Sequence, residues 1–174
     1  MMLVNRNVIS IQDRPAPVSY VTADGEICEC KFDYLVDYAD GTRTAFVVQY
    51  EGTMERFHIR EKIEAARHQL GRKFANKVVV HSEQTITADM AKNAEILWAC
   101  GGIPVHQIYA PLRELASTLN GAVKIGVLMT MFADVDGIFR HVVSLIDNGY
   151  LALANGGRIS PENYVVRTAK RKVA

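Results

Sequence analysis

The chain has 174 residues, of which 49% are apolar and 22% charged, and its net charge is +1. This is the composition of an ordinary globular protein, long enough for one sizeable core or two small ones. No apolar run is long enough to span a bilayer, and the opening MMLVNRNVISIQDRP lacks a signal peptide's apolar core and cleavage site, so no membrane association and a cytoplasmic location are expected.

Residues 7–11 read as a short strand or edge, broken by Pro15-Ala16-Pro17. Residues 18–22 form a strand, and Ala23-Asp24-Gly25-Glu26 a hairpin turn. A long strand over 27–38 follows, then a tight Asp40-Gly41 turn and a strand over 43–50. The expectation is a meander of three antiparallel strands. Asp33 lies on the central strand, and Ala45, Val47, Gln49 and Glu51 alternate onto one face of the last. An apolar stripe of Phe57, Ile59, Ile63, Ala66 and Leu70 marks a helix over 54–70, ended by Gly71. Its histidines, His58 and His68, are too far apart for a ligand pair and are expected in solvent. The strand over 74–81 then returns parallel through a right-handed crossover.

Thr87 caps a helix over 88–100, whose Trp98 is expected in the core. Gly101-Gly102-Ile103-Pro104 is the domain boundary, giving units of 1–103 and 104–174. The second unit is read as helices over 111–119, 123–132 and 135–147, with Asp134 capping the last and Asn148-Gly149 ending it. Strands over 150–153 and 163–167 follow, joined by Asn155-Gly156-Gly157. Three helices and a hairpin are the winged-helix order, in which the third helix faces the DNA groove. Arg140, His141 and Ser144 are its expected outward positions. Arg158, Arg167 and the tail residues Lys170, Arg171 and Lys172 complete the expected DNA-binding set. From Pro104 onward there are eight Lys/Arg against five Asp/Glu. The odd count of three cysteines fits a reducing compartment, and Cys28 and Cys30 have no second pair to complete a zinc site.

The run NVISIQDRPAPVSYVTADGEICECKFDYLV, continued by DYADGTRTAFVV, REKIEAARHQLG and VVVHSEQTI, resembles the TnsA-type transposon endonuclease domain of the PD-(D/E)xK nuclease superfamily. The segment VVSLIDNGYLALANGGRISPENYVV is similar to the winged-helix-like region that follows in such proteins. The resemblance implies an α/β (α+β) fold: a restriction-endonuclease-like mixed sheet with flanking helices, then a winged-helix-like region. It also implies Mg²⁺-dependent phosphodiester hydrolysis, with carboxylates holding the metal and a lysine assisting.

Asp33 falls on the family's aspartate and on its metal ligand. In the ungapped register, Val47 stands where Glu or Gln is expected and Gln49 where the lysine is. A register shifted by two puts Gln49 on the acid or amide position and Glu51 on the lysine. The lysine is absent in both, and so is the carboxylate-bearing helix expected ahead of the strands. The set Asp33, Gln49 and Glu51 is therefore read as degenerate. Three functions follow. One is a DNA-associated protein of a mobile-element or phage setting, working by binding or assembly with a transposase-like or other protein partner. Another is an active Mg²⁺-dependent endonuclease with a variant site, helped by Lys62 or Lys77. The last is an interaction or regulatory module without DNA binding, using the apolar stretch 123–132 as a partner or homodimer surface.

Overall fold

A computed structural model describes residues 5–100 and 108–168, with only the backbone of residues 72 and 73. The chain divides between Thr87 and Ala88 into two compact units. The helix over 88–100 thus belongs with the second unit, and the boundary expected at 101–104 lies outside the described residues.

The first unit carries strands β1 (Val8–Asp13), β2 (Val18–Val21), β3 (Ile27–Cys30), β4 (Tyr34–Tyr38) and β5 (Arg43–Val48). Helices α1 (Glu51–Arg56) and α2 (Ile59–Phe74) follow, and then strand β6 (Lys77–His81). The main sheet has the order β1-β4-β5-β6. β4 is antiparallel to both β1 and β5, and β6 runs parallel to β5, as the strand–helix–strand order predicts. Asp37 ties three strands together: it accepts from the Ser10 hydroxyl on β1 (2.8 Å) and pairs with Arg43 on β5 (2.5 Å). The Arg43 hydrogen bond, then that of Ser10, holds its carboxyl below the usual carboxylate range.

The meander is corrected in one respect. The expected strand over 27–38 is two strands in different sheets. β3 pairs only with β2, in a hairpin of its own, while β4 enters the main sheet. The switch occupies residues 31–33, where Phe32 turns into the core (3% exposed). No glycine or proline marks it, because tertiary contacts make the change of direction. The hairpin is held to α2 by the Gln69 side-chain amide, which donates to the Val21 carbonyl (2.6 Å) and accepts from the Val21 N–H (2.8 Å). Leu35, Ala45 and Val47 of the sheet, Tyr20, Cys30 and Phe32 from the hairpin side, and Ile63 and Ala66 of α2 make one buried cluster. The thiols of Cys28 and Cys30 are free, and burial pushes that of Cys30 up.

The helix expected over 54–70 is likewise two. His58 adopts a left-handed conformation (φ 51°) between α1 and α2 and breaks the run. Gly71 (φ 62°, ψ −176°) leaves helical geometry inside α2, so the regular part stops at the residue expected to stop it. His58 and His68 are exposed, as read from their spacing.

The second unit comprises α3 (Ala88–Cys100), α4 (Tyr109–Thr118), β7 (Val123–Lys124), α5 (Ile125–Thr130), α6 (Ile138–Asp147), β8 (Leu151–Leu153) and β9 (Tyr164–Arg167). The three strands form an antiparallel sheet in the order β7-β9-β8. The expected helix over 123–132 gives up its first two residues, since Val123 and Lys124 pair with Val165 and Tyr164 of β9. The following helix starts at Ile138, not at 135, because Gly137 (φ 71°) takes the N-cap position. Leu112, Ala116, Ile125, Leu128, Val142, Leu145, Leu151 and Val165 form the core, with Ile96, Leu97 and Cys100 of α3 packed against it. Trp98 is corrected: it is 64% exposed, on the side of α3 away from this core. Among the described residues no helix is long and apolar enough to cross a membrane.

Candidate functional site

In the first unit the residues of interest gather where β5 and β6 end. The ladder pairs Tyr34 with Phe46, which brings Asp33 level with Val47. Val47 is in the core (3% exposed) and offers no donor. The Asp33 N–H donates to the Phe46 carbonyl (2.8 Å), and its own carbonyl accepts from Arg14 N–H (2.8 Å). Its carboxylate Oδ2 accepts from Val48 N–H (2.7 Å). Asp33 thus extends the β4–β5 pairing with a side chain where the backbone ladder stops. Gln49 lies one step past the end of β5, its N–H donating to the His81 carbonyl (3.0 Å).

Glu51 opens α1. Arg60 Nη2 donates to both its carboxylate oxygens (2.9 and 3.0 Å). The Arg60 hydrogen bond, then one from buried Ser82, holds the Glu51 carboxyl below the usual range. The Glu51 N–H in turn donates to the Glu83 carboxylate (3.0 Å to Oε2), which satisfies an orphan donor at the helix start. Arg60, Ser82 and Glu83 carry no signal in the sequence that would single them out. They reach Glu51 across the α1–α2 break and from the segment after β6, and neither spacing has a periodic signature.

Asp33 has one oxygen on a backbone N–H and Glu51 is engaged by a guanidinium. Among the described residues no three His, Cys, Asp or Glu side chains come together as ligands. Lys62 is exposed on α2. Lys77 pairs with Thr44, at the end of β5 away from Asp33.

A pH prediction follows from the Glu51–Arg60 pair. A carboxyl whose folded value is lowered stabilises fully above its unfolded value, and that contribution is lost as pH falls through the lowered one. Arg60→Ala therefore lowers stability most near neutrality, and its difference from the parent vanishes as pH falls below the lowered Glu51 value. A stability difference in urea unfolding that is the same near neutrality and in acid would contradict the pairing.

In the second unit the expected DNA-facing residues scatter. Of the ten residues of α6 only Arg140 is exposed; His141 is half-buried. Ser144 is corrected: it is 3% exposed, and its carbonyl and hydroxyl both accept from Asn148 Nδ2 (2.8 and 3.1 Å), which also donates to the Tyr109 hydroxyl (2.9 Å). An inward hydrogen-bond network, not the surface, accounts for the serine. Arg158 is exposed on the loop between β8 and β9. Arg167 is exposed too, but its Nη1 donates to the Ser117 carbonyl (2.6 Å) at the end of α4. Lys170, Arg171 and Lys172 lie outside the described residues. From Ala88 to Thr168 there are six Lys/Arg against seven Asp/Glu, so the cationic excess of this half belongs to those three. The sequence matches no protein-family model and no curated protein.

Proposed function

We propose that the chain is a DNA-associated protein on a TnsA-type, PD-(D/E)xK nuclease-derived fold, acting by binding or assembly and not by cutting. The observation that carries this reading is the state of the strand-end carboxylates. Asp33 and Glu51 are spent on Val48 and Arg60, and β5 itself carries no lysine. The antiparallel β1-β4-β5 group with a helix-linked parallel β6 supports the nuclease-like fold. The order helix, short strand, helix, helix, hairpin, with sheet order β7-β9-β8, supports a winged helix. A mobile-element or phage setting and a transposase-like partner belong to the same proposal.

The test is DNA binding by the intact chain at two salt concentrations, with and without Mg²⁺, read as mobility shift and strand nicking. Salt-sensitive binding without nicking is the expected result. Mg²⁺-dependent nicking abolished by Asp33→Ala overturns it in favour of a variant endonuclease. Asp33→Ala also carries a stability prediction. With its acceptor gone, the Val48 N–H loses its partner, and the chain is destabilised by about 1–2 kcal/mol in urea unfolding. Asp33→Asn keeps an acceptor and costs less. Equal stability of Asp33→Ala and the parent would remove the structural role assigned to this carboxylate.

A second reading has one observation in its favour. Val127 and Met131, in and just after α5, are 48% and 60% exposed. With no net positive charge over 88–168, these apolar residues suit a protein partner better than DNA. Absence of any DNA binding puts this reading first.

A further inference from the structure

We propose that the second unit meets DNA through the phosphate backbone, at the loop bearing Arg158, and that Asn93 on α3 is the positioning residue that holds this loop; the proposal rests on the DNA-binding reading above. The helix that would read bases in a winged helix is closed. Residues 142–145 of α6 are all buried, and α3 packs against α6. One exposed arginine, Arg140, is too little for a base-reading face.

The loop after β8 is built differently. Its backbone is pinned at consecutive residues by side-chain amides. Asn93 Nδ2 donates to the Gly157 carbonyl (2.7 Å), and the Ile159 N–H donates to Asn93 Oδ1 (2.7 Å). Asn163 Nδ2 donates to the carbonyls of Gly156 (2.9 Å) and Arg158 (2.8 Å). Gly156 and Gly157 take φ of 70° and 75°, which side-chain-bearing residues rarely adopt. Ile159 is buried (3% exposed), so the loop is anchored on its far side as well.

Between these ties the Arg158 side chain stands exposed, close enough to Glu95 to act on it electrostatically. Glu95 is itself paired with Lys92 (2.6 Å), one residue before Asn93. Lys92 and Arg158 both act on the Glu95 carboxylate, the Asp89 carboxylate stands beside Gly157, and Asn93 ties the loop backbone next to them. A guanidinium on a fixed backbone loses less freedom when it meets a phosphate, which is where affinity is gained without base contacts.

The test is fluorescence anisotropy of a labelled mixed-sequence duplex with the intact chain over a salt series. It compares the parent with Arg158→Ala, Asn93→Ala, the double variant and Arg140→Ala. Arg158→Ala is expected to weaken binding several-fold and to shallow the slope of log affinity against log salt by about 0.9. Asn93→Ala is expected to weaken binding several-fold with an unchanged circular-dichroism spectrum, and to add nothing in the Arg158→Ala background. If Asn93→Ala unfolds the unit, Asn93→Ser, which adds no charge, is read in its place, with the same expectation. A loss that multiplies in the double variant, or no loss on changing Asn93, overturns the positioning role. A loss on Arg140→Ala larger than that on Arg158→Ala overturns the assignment of the contact to this loop. No salt-sensitive binding by the parent chain overturns the DNA-binding reading itself, and this proposal with it.

Discussion

With Lys170, Arg171 and Lys172 all changed to alanine, the slope of log DNA affinity against log salt is expected to shallow by about 2.7, at roughly 0.9 for each phosphate no longer neutralised. Between 50 and 200 mM salt, the affinity ratio then shrinks by about 40-fold relative to the parent. The size of the effect follows from where the charge is. Residues 88–168 carry one more acid than base, and Arg167 is already bound to the Ser117 carbonyl. Without the tail, residues 88–168 have no net positive charge with which to displace condensed counterions. A slope unchanged by the triple substitution would place the phosphate contacts elsewhere in the chain and remove the tail from the proposed interface. A salt series on the parent and the variant decides the matter.

Leu145→Ala is expected to destabilise the second unit by about 3 kcal/mol, as seen for fully buried leucines whose surroundings relax only in part. Leu145 is fully buried, in the cluster that joins Leu112 of α4, Ile125 and Leu128 of α5, and Leu151 and Val165 of the small sheet. Its carbonyl also accepts the Tyr150 N–H (2.9 Å), where the chain leaves α6 for β8. The substitution therefore loosens the helix and the turn that leads into the Arg158 loop. Denaturant unfolding measures the loss. A cost below about 1 kcal/mol would mean that Leu145 does not sit in this core. Arg140→Ala, on the same helix but exposed, is the control and should change stability by less than about 0.5 kcal/mol.

Several elements were legible because their signals are local. Asp40-Gly41 predicts a hairpin, and the turn is there: Gly41 has φ 78°, its N–H donates to Tyr38, and the Thr42 N–H bonds back to the Asp40 carboxylate (2.9 Å). Asn148-Gly149 predicts the end of α6, and Gly149 takes φ 69° just past it. Val78, Val79 and Val80 predict a strand after a helix, and β6 runs parallel to β5. The helical order of the second unit was legible in outline, with Gly149 ending α6, whereas the start of that helix was read too early because Gly137 was not taken as its boundary.

What the sequence determined by itself, then, is the set of elements bounded by such local chemistry, and the residue types available at the strand end. Turn glycines act within a few bonds, so their effect can be read without knowing the fold. Tertiary structure alone decided the rest. The split at residues 31–33 exists because β3 and β4 find partners in different sheets. Trp98 is outside and Ser144 inside because the packing of α3 and the Tyr109–Asn148 bonds choose which helix face is covered. Glu51 is spent on Arg60, and Asp33 on Val48, because residues distant in the chain meet at the end of a sheet. Asn93 reaches Gly157 and Ile159 across more than sixty residues. Such pairings depend on where whole elements dock, and a single sequence records only the order in which they are made.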